Sequence, residues 1–361
     1  MTAAISTFER DYRELLEFVK RSFGIDKLFA RLPRTKYTKA ELTDTEQKIV
    51  EEYLDKRANQ KIFIYKSFII VLYGLLERYI EEAIKEYVTA CCRICSDYDK
   101  LPDKLKEVHK DLAIELVGKL SYSKFSHIKI EQVVNILNQG LNNNIAVVIP
   151  ESFLQNGGNY KHDVICRMLN NLDIDVKTLL HKYNPLASNL DSKYKDEHHY
   201  NLFYENCINR IVTERNTIAH GGQQAVNLPD EEEMLSMAAD MRDYVLSINH
   251  ILVDFKLKLM YDLNTSATFK SNELYRAGTV IIPQLEGMSV SIGHKIIAKR
   301  AEHVYPQYNV YTVKNLQIND QNVSFVSCNS SREVGIELDS STNKNCTYKF
   351  LEFHPPLYLL A

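Results

Sequence analysis

The apolar periodicity of this chain changes once, near residue 266, and that change limits the folds open to it. Before this point, apolar residues recur every three or four positions; after it, they gather in short runs separated by turn residues. Phe8, Tyr12, Leu15, Val19 and Phe23 predict an amphipathic helix that Gly24 stops. Thr43 and Glu46 have the spacing of a capping box and open a second helix, which the pattern allows to run unbroken to about Ser96. Between Phe68 and Tyr87 its apolar residues exceed a single stripe, so its second half is expected to be buried on most sides. Glu77 lies inside that stretch, and a buried carboxylate needs a partner.

Shorter helices are predicted over 103–120, 130–138, 161–172 and 176–183, with Asn/Gly-rich turns at 139–144 and 155–159. Residues 195–220 read as one helix with Phe203, Ile208, Ile211 and Val212 facing inward. Pro229 and the acids Asp230 to Glu233 suit the first turn of a last helix that reaches about Tyr261. Beyond it, the runs 279–282, 295–299, 308–313, 323–328, 334–338 and 347–353 are β-branched or aromatic-rich and evenly spaced, the pattern of a small β-barrel. The expected class is therefore α+β and multidomain: an all-helical domain over 1–265 (core about 44–260), then a β-barrel over 266–361. A length of 361 residues accommodates two such domains.

Composition narrows the function classes. The formal net charge of −3 gives no broad basic surface, so any action on nucleic acid requires a local site. The barrel region is itself close to neutral, with nine Lys and Arg against eight Asp and Glu. The chain opens without a basic-then-apolar signal, and its most apolar stretch, 62–76, is interrupted by Lys66 and too short to span a bilayer. A cytoplasmic protein without a membrane partner is the expectation. The seven cysteines are then expected to be reduced thiols. Cys91 and Cys95 stand one helical turn apart, as two zinc ligands can, but no second pair lies nearby and His109 is the nearest further candidate. They are read as buried helix residues, and no metal or cofactor is expected.

The run from Glu214 to Gly222 carries the chemistry: Glu-Arg-Asn-Thr-Ile-Ala-His-Gly-Gly. Arg215 is a permanent cation whose planar fork fits phosphate oxygens, and His220 is of the type that exchanges protons near neutrality. Together they suit cleavage of RNA without a metal. Geometry qualifies this, because helix positions five apart point about 140° away from each other. Arg215 and His220 of one chain converge only if the helix loosens at Ala219 and Gly221 supplies a left-handed end; otherwise a partner subunit completes the site. The competing reading is a helix cap, with Arg215 paired to Glu214 or another carboxylate. Glu77 either bonds Arg215 or Asn216 from the neighbouring helix or satisfies some other buried donor. His198 and His199 read as a solvated helix start.

The run Arg215-Asn216-x-x-x-His220 resembles the R-x4–6-H motif of the HEPN superfamily, helical proteins many of which are metal-independent ribonucleases. The apolar helix with Glu77, the 153–158 loop and the ending Arg-Asn-x-Ile-Ala-His-Gly look like its RiboL-PSP subgroup. The likeness covers about 44–260 as an arrangement of helices and 214–221 as a specific motif. AMPylated toxin variants carry a Tyr two residues past the His; Gly222 stands there instead. The resemblance implies a homodimer that pairs the motif of two copies. It also implies Arg215 holding the scissile phosphate, His220 exchanging protons or positioning the 2′-hydroxyl, and Asn216 orienting the phosphate or the imidazole. Glu77 and Glu214 are candidates to support them. A toxin or antiviral effector with an antitoxin or defence-system partner would follow; a non-catalytic RNA- or protein-binding scaffold, or a regulatory subunit, is the alternative. Further along, 290–296, 311–319 and 334–339 are similar to the second-domain barrel of translation factors such as elongation factor Tu, with His294 in place of the usual acid. That likeness implies tRNA or the translation apparatus as a partner, by analogy alone.

Overall fold

The computed structural model describes residues 2–31, 43–154, 159–183, 197–221, 228–271, 273–302 and 304–351. The predicted starts of the helix at 195–220 and of the 155–159 turn, Gly222, and the end of the last predicted strand lie outside them. The described helices are α1 (Ala3–Arg31), α2 (Asp44–Asp55), α3 (Arg57–Ile94), α4 (Asp103–Val117), α5 (Ile130–Leu141), α6 (His162–Asn170), α7 (Val176–Tyr183), α8 (Glu197–Ala219) and α9 (Glu231–Leu263). α3 is the central rod, packed by α1, α8 and α9. One continuous core joins these helices, from Phe8 on α1 through Phe68 and Leu76 on α3 to Ile211 on α8 and Ile248 on α9.

Two predicted helix boundaries are corrected. Gly24 does not stop α1, which runs on to Arg31. A mid-helix glycine costs about 1 kcal/mol against alanine, and contacts beyond it offset that: Arg57 donates to both oxygens of buried Asp26 at 2.6 and 2.7 Å, and Phe29 stacks on Tyr53 at 4.3 Å. The same contacts draw α2 back over α1, and the helix predicted to run unbroken from Thr43 is interrupted at Lys56 (φ −95°, ψ 6°). Its start is as expected, with Thr43 and Glu46 closing a reciprocal capping box. Asp230 and Glu233 do the same for α9.

The second half of α3 is buried on most sides, and its first half keeps one outward stripe. Phe63 is 70% exposed, Ile70 51% and Val71 46%, and Gly74 is exposed one turn beyond Ile70. A Cβ added at Gly74 would meet open space, so nothing inside the chain requires glycine there.

The C-terminal strands form a curled antiparallel sheet, a half-barrel. Its spine is the long strand Tyr308–Ile318, which pairs with Lys295–Lys299 on one side and with Gly335–Leu338 on the other. A register shift at Glu337/Leu338 bends the second pairing. Alternate residues such as Tyr311, Val313, Ile336 and Leu338 point into a separate apolar core. The sheet is tied to α9 through Asp254, which is 3% exposed and accepts from the backbone of Gln307 at 3.0 Å and of Tyr308 at 2.6 Å. The Tyr183 hydroxyl at the end of α7 donates to the same carboxylate. Lys349 adds bonds to the carbonyls of Tyr261 and Asn264. No described helix is long and apolar enough to cross a membrane.

Candidate active site

α8 lays two of its faces on α3. Where α8 enters the motif, Tyr65 of α3 lies beside Glu214 and Arg210; burial, then the charge of Glu214, pushes that phenol up to about 12. Glu214 makes no ion pair with Arg215 among the described residues. The pairing of those two neighbours, one form of the cap reading, is thus absent, while the helix end itself closes in a left-handed glycine, Gly221.

Arg215 points to a different part of α3. Its guanidinium carbon lies 4.8 Å from the centroid of the Tyr73 ring, over its face. Nη1 donates to Asn216 Oδ1 at 3.1 Å, and Arg215 makes no other hydrogen bond among the described residues. The ring covers one face of the fork and Asn216 takes one donor, which leaves the rest of a half-buried guanidinium for an incoming anion.

Tyr73, Glu77 and Glu81 follow one another at one-turn spacing on α3. Glu77 is half-buried and has no hydrogen-bond partner among the described residues. Burial and then the charge of Glu81 push its carboxyl up, while Lys124 and Arg215 pull it down. Glu77 therefore feels Arg215 as a charge and does not bond it. Glu81 is occupied: the Tyr160 hydroxyl and the Lys124 ammonium both donate to it. The backbone N–H of Tyr160 donates to the Tyr73 hydroxyl at 3.4 Å, joining the two ends of this network.

His220 is exposed just beyond the last turn of α8. Its N–H still bonds the carbonyl of Asn216 at 3.0 Å, so helical spacing persists through it, and Gly221 then turns left-handed at φ 69°. The expected left-handed end is present. Even so, the helix does not loosen enough to bring the imidazole to Arg215, and no contact joins them within one chain. The cysteine cluster divides likewise: Cys95 donates to the Lys100 carbonyl, while His109 is buried and bonded through Nδ1 to the Tyr98 hydroxyl at 2.9 Å. Among the described residues no group of three or more His, Cys, Asp or Glu is placed to hold a metal ion.

Tyr73, Glu81, Lys124 and Tyr160 were not singled out by sequence. Tyr73 carried one usable signal, its place one turn before Glu77 on the same helical face. Glu81 carried the same signal, one turn after Glu77, while Lys124 and Tyr160 come from segments remote in the chain.

The family model described as RiboL-PSP-HEPN matches residues 34–254. The chain belongs to this family. The RiboL-PSP-HEPN match takes in α2 to α8 and most of α9, and with them Glu77, Arg215, Asn216 and His220. It ends before the strands, so the likeness of the half-barrel to translation-factor domains rests on its apolar pattern alone. No curated protein matches the chain.

Proposed function

We propose that this chain is a metal-independent endoribonuclease of the HEPN type, acting as a homodimer in a toxin or antiviral defence role. The observation that carries this reading is Arg215: a half-buried guanidinium, seated on an aromatic face with donors to spare, within one helical turn and a half of an exposed His220. The substrate's own 2′-hydroxyl attacks the adjacent phosphorus. Its proton passes to a base, a 2′,3′-cyclic phosphate forms, the bond from phosphorus to the 5′-oxygen breaks, and that oxygen takes up a proton. Arg215 offsets the negative charge that builds on the phosphoryl oxygens. An imidazole such as His220 serves one of the two proton transfers, and its counterpart from a second copy serves the other.

Two features support the dimer. Arg215 and His220 diverge within one chain, so a shared cleft supplies what a single copy does not. The outward stripe of α3 also adjoins the site, since Ile70 and Gly74 stand one helical turn from Tyr73 and Glu77 on neighbouring rows of the same helix. This stripe forms one wall of a groove of about 620 Å³ with Leu15 and Phe18 of α1. A second copy of the same face is the occupant we assign to it: an exposed mid-helix glycine lets a partner helix approach closely.

The test is cleavage of RNA in EDTA by the purified protein. Arg215→Ala and His220→Ala each lower cleavage by at least about a hundredfold, the scale of losing a charge-stabilising or proton-transfer group, while melting stays near wild type. Cutting that survives both substitutions rejects the reading.

A second reading, an RNA-binding scaffold without turnover, draws on the separation of the two motif groups: no contact joins Arg215 to His220 within one chain, so one copy can seat a phosphate without serving both proton transfers. Binding of RNA with no change in its length, and no effect of His220→Ala in cells, would favour it.

A further inference from the structure

We propose that Tyr73 is the positioning residue of the site: its ring face fixes the plane of the Arg215 guanidinium, so that the open edge of the fork is presented to a phosphate. The inference deepens the ribonuclease reading and rests on it.

Three observations converge. First, the guanidinium sits over the ring, 4.8 Å from centroid to Cζ, where the negative face of the aromatic quadrupole attracts a planar cation. Second, Tyr73 is itself immobilised: it is 3% exposed and packed into the helical core, so the ring is a fixed platform. Third, Asn216 holds Nη1 from the side. A ring below and an amide at one corner define both the plane and the rotation of the fork. A flexible arginine otherwise loses much rotamer freedom on binding, and a prepositioned one has already lost it. Lysine could supply the charge here but neither the flat stacking surface nor the second donor.

The role belongs to the ring face and not to the hydroxyl, which separates Tyr73→Phe from Tyr73→Leu. Both substitutions keep an apolar side chain in a buried position; only the first keeps the platform. Tyr73→Phe is expected to cleave within about twofold of wild type. Tyr73→Leu should lose about five- to twentyfold in kcat, the range of a partly desolvated cation–π contact. Its affinity for a 2′-O-methyl oligonucleotide, which lacks the attacking hydroxyl, should change by less than about threefold, because other contacts hold the strand. In an Arg215→Lys background, which has no planar group to seat, Tyr73→Leu should cost less than about twofold further.

A readout independent of cleavage accompanies these on the full-length chain labelled with ¹⁵N-arginine. The Arg215 Nε–H resonance, identified by its disappearance in Arg215→Ala, should carry an upfield ring-current shift in wild type and Tyr73→Phe and lose it in Tyr73→Leu. An unshifted wild-type resonance overturns the proposal. So does equal damage by Phe and Leu, or a Tyr73→Leu loss that persists undiminished beside Arg215→Lys. If wild-type protein cuts no RNA, the ribonuclease reading fails on its own. Tyr73 is then judged by the resonance alone: a shift present in wild type and Tyr73→Phe and lost in Tyr73→Leu sustains it, and any other pattern overturns it.

Discussion

At the scale of single residues, Glu77 is the group whose environment works against its charge. Burial and Glu81 raise its folded pKa, and Lys124 and Arg215 only partly compensate. The sign follows from proton linkage. Between the ordinary carboxyl range and the raised folded value, the native state binds more protons than the unfolded chain, so this group's contribution to stability falls as pH rises through that window. Glu77→Gln, which keeps the shape without the charge, is expected to melt at or above wild type at pH 7.5, with the difference fading as pH drops to 4 and below. A variant that melts well below wild type at pH 7.5 would mean that the ionised carboxylate is a net support for Arg215. The sequence disclosed Arg215, Asn216 and His220 because they are neighbours along the chain with recognisable spacing. It exposed Glu77 through its misfit with an apolar helix. It could not disclose Tyr73, because a tyrosine in an apolar stripe looks the same whether or not an arginine from α8 arrives over its face. Nor could it say that Glu214 would lie beside Tyr65.

Elements were legible where local chemistry decides them. The capping boxes at Thr43 and Asp230 satisfy helix-end N–H groups with side chains three positions away, so both starts can be read directly. The misread boundaries, Gly24 and Lys56, depend on Asp26 meeting Arg57, a contact between helices that local propensity does not contain. α3 carries the main prediction at this scale. It spends one face on the core, a second on Arg215, and leaves a third, with Phe63, Ile70, Val71 and Gly74, to solvent. Ile70→Glu and Val71→Glu replace side chains already about half exposed, so the monomer's melting temperature should hardly move. In a two-fold interface each change occurs twice and places like charges together. The dimer should weaken by at least about tenfold, from the apolar burial lost at both copies. Sedimentation across a concentration series would read this directly, and cleavage should fall in step with the dimer fraction. A wild-type chain that sediments as a monomer at every concentration removes the shared-cleft mechanism.

For the whole molecule, the question is whether helices and half-barrel behave as one cooperative body. The sequence announced both parts through the change of periodicity near 266, but it held no sign of the joint. That joint centres on Asp254, in the last third of α9, where one buried carboxylate takes donors from α7 and from the leading end of the sheet's long strand. Lys349 and Asn264 bind the far side. Asp254→Ala strips the acceptor from two backbone N–H groups and a tyrosine hydroxyl, a loss on the order of 3 kcal/mol for a hydrogen-bonded buried charge. α3 and α8 pack mainly on one core and the sheet on another, with only a small apolar cluster of Leu257, Met260, Tyr261, Ile297 and Tyr308 between them, so the damage should fall on the connection. Calorimetry is expected to show a wild-type transition resolving into two, with amide exchange accelerating first around Tyr308. Cleavage of a short oligonucleotide should stay within about twofold of wild type, since Tyr73 and Arg215 make their contacts to each other, to Asn216 and to Tyr160, away from Asp254 and its partners. A single transition displaced downward, with activity falling alongside it, would instead mean that the sheet and the catalytic helices share one folding unit. The half-barrel would then be part of the site's support and not an appended recognition surface.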